Sequence, residues 1–92
     1  MLRKESEADG RVAVTFLLPA DHPSAPISVV GDFNDWNPWL NPMKQRPDGS
    51  LSTTVTLAAG TVAHFRYLGG HGDWFDDWDA DGYDDAGGLV RV

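Results

Sequence analysis

A chain of 92 residues has room for one domain built around one modest core. The barrels and doubly wound sheets of larger enzymes need about 200 residues or more, so a binding or accessory module is the better expectation. Hydrophobic residues at 41% and charged residues at 23% are ordinary for a globular fold, but 14 acidic against 7 basic side chains give a net charge of −7 that repels nucleic acid and anionic membrane surfaces.

The charge is uneven. Residues 73–92 hold seven of the acids and, among the bases, only Arg91. The absence of cysteine excludes disulfides, thiolate metal sites and a Cys nucleophile. The apolar runs fall far short of the ~20 residues of a membrane span, and residues 1–10 lack the apolar centre of a signal peptide. A soluble, cytoplasmic protein with no membrane association is expected.

Residues 1–10 are polar and aperiodic and read as a flexible leader, which leaves 11–92 as the domain. In 12–18, Val14, Phe16 and Leu18 alternate with Ala13, Thr15 and Leu17, which predicts a half-buried strand. A turn with two prolines follows at 21–26, then a short strand at 27–30 that ends at Gly31. The next twenty residues hold Gly31, Pro38, Pro42, Pro47 and Gly49, punctuation that excludes a long helix or a central strand.

The Asp48-Gly49 turn leads into a strand at 51–57, and Ala59-Gly60 leads into another at 61–68. Alternation in the latter puts Ala63, Phe65 and Tyr67 toward the core, with Val62, His64, Arg66 and Leu68 on the other face. Gly69-Gly70 closes it, an acidic, aromatic segment follows, and 89–92 forms a terminal strand. Short strands about ten residues apart, with no helical window, predict a single all-β sandwich.

The four tryptophans cluster. Trp36 and Trp39 stand in the Pro-rich loop, Trp74 and Trp78 in the Asp-rich one. A loop tryptophan offers a flat π surface that suits the C–H face of a pyranose, while neighbouring polar groups bond the hydroxyls. The same rings could instead cap the open ends of a small sandwich.

The run Val29-Val30-Gly31-Asp32-Phe33-Asn34-Asp35-Trp36-Asn37-Pro38, the Asp48-Gly49 turn, the strand Phe65-Arg66-Tyr67-Leu68 and the later Asp73-Trp74 resemble carbohydrate-binding module family 48. That family includes glycogen-binding domains of kinase β subunits and the N-terminal early-set domains of isoamylases and branching enzymes. The resemblance spans about residues 11–92. It implies an immunoglobulin-like early-set sandwich that holds an α-1,4-linked glucan or malto-oligosaccharide. By position, Trp36 and Trp74 correspond to stacking residues and Arg66 to a hydroxyl-bonding cation. Asn34 shapes the loop and joins the expected carbohydrate-binding set, Trp39 extends the platform, and Tyr83 matches loosely a residue that packs on the sugar. The sequence departs from the pattern at 84–88, Asp-Asp-Ala-Gly-Gly, where binding members offer polar side chains, often Asn.

Asp77-x-Asp79-x-Asp81-Gly82 imitates the start of a calcium loop, but position 12 is Gly88 instead of a bidentate Glu, and neither flank reads as a helix. No metal and no cofactor are expected. Clustered carboxylates also serve glycoside hydrolysis, yet nothing marks a catalytic pair, and His22, His64 and His71 stand apart from one another. A non-catalytic glucan-binding module is therefore expected. Its rival is a sandwich that uses the tryptophans to dock a protein partner or to form a homo-oligomer.

Overall fold

The structure, a computed structural model, describes residues 1–20 and 22–92. The expected turn begins at Asp21, which lies outside the described residues. Among the described residues the chain forms β1 (Leu2–Ser6), β2 (Arg11–Leu18), β3 (Ile27–Gly31), a 3-10 turn (Asp32–Asn34), β4 (Lys44–Gln45), β5 (Leu51–Ala58), β6 (Val62–Gly69), β7 (Trp74–Phe75), β8 (Gly82–Asp84) and β9 (Gly87–Arg91). Two antiparallel sheets result. The first runs β1-β2-β5-β4, and the second β3-β6-β9-β8 with β7 also paired to β6. This is the expected all-β sandwich. Among the described residues no helix is long and apolar enough to cross a membrane.

Alternation along β2 and β6 makes the core. Val12, Val14 and Phe16 point inward from the first sheet and meet Ile27, Val29, Ala63, Phe65, Tyr67 and Val90 of the second. The Phe16 and Phe65 rings lie 5.0 Å apart, and Tyr67 stands edge-on to both. Such aromatic pairs contribute about 0.5–1.5 kcal/mol each beyond the area they bury. Gly31 allows β3 to approach β6 closely, since a Cβ there would lie 2.3 Å from the His64 carbonyl oxygen.

The segment expected as a flexible leader is corrected by the structure. Residues Leu2–Ser6 form edge strand β1, in register with β2 from Leu2 opposite Phe16 to Ser6 opposite Val12. Only Leu2 packs on the core, so the strand carries almost no apolar period to read. The acidic segment holds it in place. Asp79 Oδ2 accepts the Leu2 amide at 3.3 Å, Asp81 Oδ2 accepts Lys4 Nζ at 2.6 Å, and Asp77 Oδ2 accepts the Met1 ammonium at 2.7 Å.

The Pro-rich loop holds no long helix and no central strand, as its punctuation dictates. Part of it nonetheless follows the free edge of β3. Val29 donates to the Asn41 carbonyl at 3.0 Å and Met43 to that of Ile27 at 2.8 Å, after which β4 crosses to pair with β5.

Candidate functional site

The outward row of β6 is His64, Arg66 and Leu68, half-buried residues that alternate with the core. Register extends this row across the second sheet. Val30 lies opposite Arg66, Ser28 opposite Leu68, and Trp74 of β7 opposite Leu68 on the other side. Residues paired across antiparallel strands project to the same face, so Trp74 and Arg66 share one surface. Trp74 is 52% exposed. Trp39, 86% exposed, overlooks the same region and shares a groove of about 400 Å³ with Ser28, Pro42, Met43 and Leu68.

Trp36 stands half-buried in the loop after β3, and its side chain lies against Asp32, the carboxylate that bonds His64. Both Asp35 and Trp36 have φ of 56°, the left-handed region that bulky side chains avoid. Holding a residue there costs about 1–3 kcal/mol, and such outliers concentrate at functional sites. The hydrogen bonds that enforce it come from Asn34. Its Oδ1 accepts the Gly31 amide at 3.0 Å, and its Nδ2 donates to the Val29 carbonyl at 2.9 Å and to Asn41 Oδ1 at 2.8 Å. The Trp36 amide donates to the Gly31 carbonyl at 3.0 Å. Asn34 is 6% exposed, so its place in the carbohydrate-binding set is corrected to that of a loop brace, with its amide engaged inside the protein.

Arg66 lies over the backbone of β9. A Cβ on Gly87 would fall 2.7 Å from Arg66 Nε and 2.8 Å from its Cγ, and Gly87 has φ of +123°. The glycine at a position where a polar side chain was expected thus makes room for the Arg66 side chain. Arg66 Nε is buried without a hydrogen-bond partner, and its nearest carboxylate oxygen, from Asp76, is 3.4 Å away.

Tyr83 is not part of this face. It pairs with Gly88, which pairs with Phe65, so its row is the inward one at the sheet edge. Its hydroxyl donates to the Asp77 carbonyl and its ring stays 52% exposed at the sheet edge, apart from the row of Arg66 and Trp74. Trp78 also lies elsewhere, beside Leu17 and Arg3 of the first sheet.

One cluster on this face escapes sequence reasoning. His64 Nδ1 lies 3.0 Å from Asp32 Oδ2 and its Nε2 lies 2.6 Å from Asp84 Oδ2. The hydrogen bonds to Asp84 and then Asp32 raise the His64 pKa. The Asp84 carboxyl is lowered, chiefly by His64 and then by the Ala86 amide. Asp32 is lowered by the His64 amide above all, and the His64 and Trp36 side chains pull the same way. Alternation alone puts His64 beside Arg66, but its partners lie 32 and 20 residues away with no local signal.

The calcium-like spacing serves another purpose. Asp77 is 2% exposed and accepts the Tyr67 hydroxyl at 2.5 Å, and burial followed by this bond raises the Tyr67 pKa above its ordinary value. Asp79 and Asp81 hold β1, and Asp81 also accepts the Arg91 amide at 2.7 Å. Among the described residues no group of three or more His, Asp or Glu side chains converges as a metal site would require.

Over part of its length the chain is similar to glucan branching enzymes. Across 55 residues, 60% of the chain, it is 40% identical to the 1,4-alpha-glucan branching enzyme GlgB 2 of Xanthomonas campestris pv. campestris strain 8004. The same holds for the enzyme of that name from strain ATCC 33913. The aligned segment spans 7% of the length of each. No family model matches the chain.

Proposed function

We propose that this chain is a non-catalytic, early-set module of glucan metabolism that binds α-1,4-linked glucan on the outer face of its second sheet. The observation that carries the reading is the outward row that joins Arg66 to Trp74, with Trp39 bordering its Leu68 end; the Trp36 loop, held beside Asp32 and His64, supports it. Trp36 and Trp74 stack on pyranose faces, Arg66 donates to hydroxyls through its terminal guanidinium nitrogens while its buried Nε lies toward Asp76, and Trp39 lengthens the platform. Partial identity to enzymes named for 1,4-alpha-glucan branching supports the ligand class. The carboxylates on this face are engaged by His64 and Arg66, which favours binding over acid-base chemistry.

The test is a titration of intrinsic tryptophan fluorescence with maltoheptaose and β-cyclodextrin, with cellohexaose as the linkage control. A saturable change with the α-linked sugars alone is expected. No change at millimolar ligand, or an equal response to cellohexaose, overturns the reading.

A further inference from the structure

Trp78 is the tryptophan that the face of the second sheet leaves unused. Its neighbour Asp77 is anchored in the interior by Tyr67, while Trp78 itself is 87% exposed. Trp78 forms one wall of a groove of about 370 Å³, a size within the ~300–1,000 Å³ range of small-molecule sites. Leu17, Arg3, Arg46, Asp48 and Ser50 supply other parts of the lining.

The groove lies on the far side of the sandwich from Trp74. Arg3 pairs with Thr15 and Leu17 with Ser52, positions that alternate with core residues Val14 and Phe16 and so project from the outer face of the first sheet. Among the described residues neither Arg3 nor Arg46 belongs to an ion pair. Asp48 Oδ1 accepts the Ser50 amide and hydroxyl at 3.0 and 2.6 Å, which leaves Oδ2 free as an acceptor.

These groups select among ligand classes. An apolar partner that dried the groove would bury two guanidiniums against a single carboxylate, Asp48, which Arg46 already attracts, and so would leave Arg3 unpaired out of water. A polyanion would meet Asp48 and the field of a chain with net charge −7. A neutral ring with one apolar face and a rim of hydroxyls satisfies all of them. Its C–H face covers Trp78, and its hydroxyls accept from Arg3 and Arg46 and donate to Asp48.

We propose that the outer face of the first sheet is a second glucan site, with Trp78 as platform and Arg3 and Arg46 as donors. One chain then holds two glucan segments on opposite faces and cross-links branched glucan. The proposal rests on the glucan reading of the second sheet for its ligand class, though the two sites are separately testable.

The indole N–H resonances of ¹⁵N-labelled protein report each tryptophan individually. During a maltoheptaose titration the Trp78 resonance is expected to shift in the parent and equally in a Trp36→Ala/Trp74→Ala variant. Arg46→Ala is expected to weaken the Trp78 response at least fivefold. Parent protein is expected to make glycogen turbid, and Trp78→Ala to lose that turbidity while the Trp74 shift persists. A Trp78 resonance that stays still while Trp74 saturates overturns the second site and leaves the first. Movement of Trp78 alone overturns the first site and upholds the second. A Trp78 shift of the same size with cellohexaose overturns the α-glucan assignment.

Discussion

His64 Nε2 stands 2.6 Å from the Asp84 carboxylate, and the opposite ring nitrogen stands 3.0 Å from Asp32. A neutral imidazole donates through one nitrogen only, so the arrangement with a carboxylate at each end is complete when His64 is protonated. The charged ring then ties the Trp36 loop to the β8–β9 hairpin across β6.

The pH dependence follows from the signs. His64 has its pKa raised, so its contribution to stability is full below the ordinary value of 6.5 and is lost as pH rises through the higher folded value. Asp84 and Asp32 are lowered, so theirs is present above 3.8 and lost as pH falls through the lower folded values. The difference in Tm between the parent and His64→Gln is expected to be largest between about pH 4 and 6.5 and to shrink at higher pH. A difference that stays flat from pH 5 to 9 would show that the ring does not act as a cation here.

Loss of one stacking platform should be visible without loss of the fold. Trp36→Ala is expected to weaken retention on immobilised amylopectin about tenfold, equivalent to about 1.4 kcal/mol. Unchanged retention in a variant with the parent's circular dichroism would remove Trp36 from the site.

Gly87 tests the placement of Arg66 without touching a ligand. Gly87→Ala puts a Cβ 2.7 Å from Arg66 Nε at a backbone φ of +123°, so a stability loss of about 1–3 kcal/mol in urea unfolding is expected. Weaker maltoheptaose binding should accompany it. Adding Arg66→Ala should restore part of the stability and none of the binding. Full stability in the single variant would mean that the arginine does not lie over this glycine.

Tyr67→Phe removes the hydroxyl that Asp77 accepts in the interior. Its carboxylate would keep the Met1 ammonium and the Asp79 amide, and a loss of about 1–3 kcal/mol is expected. Calcium or EDTA should leave the parent's Tm unchanged, because Asp77, Asp79 and Asp81 are already bonded within the protein. A rise of several degrees with calcium would show that these bonds yield to the ion.

The legible part of the fold was the part with a period. Residues 12–18 and 61–68 bury one face and 51–57 half-bury one, and alternation identified the strands and put Arg66 opposite Phe65 and Tyr67. Two-residue strands such as β4 and β7 are too short to show a period, and β1 is mostly exposed. For the site, a local motif marked the Trp36 loop but did not tell a buried brace, Asn34, from an exposed contact. Tyr83 faces the wrong way because its side is set by register with Gly88 and Phe65, which no local pattern encodes.

The fastening of β1 by the acidic segment also bears on the order in which the chain assembles. Leu2 and Lys4 meet Asp79 and Asp81 across 77 residues of sequence, among the longest closures in the molecule. Until they meet, the carboxylates of 77–81 repel one another, whereas the β1–β2 hairpin needs only the short turn of residues 7–10. The route from β7 to β8, and with it the stance of Trp78, is therefore set late, when the acidic segment closes on a β1–β2 hairpin already formed.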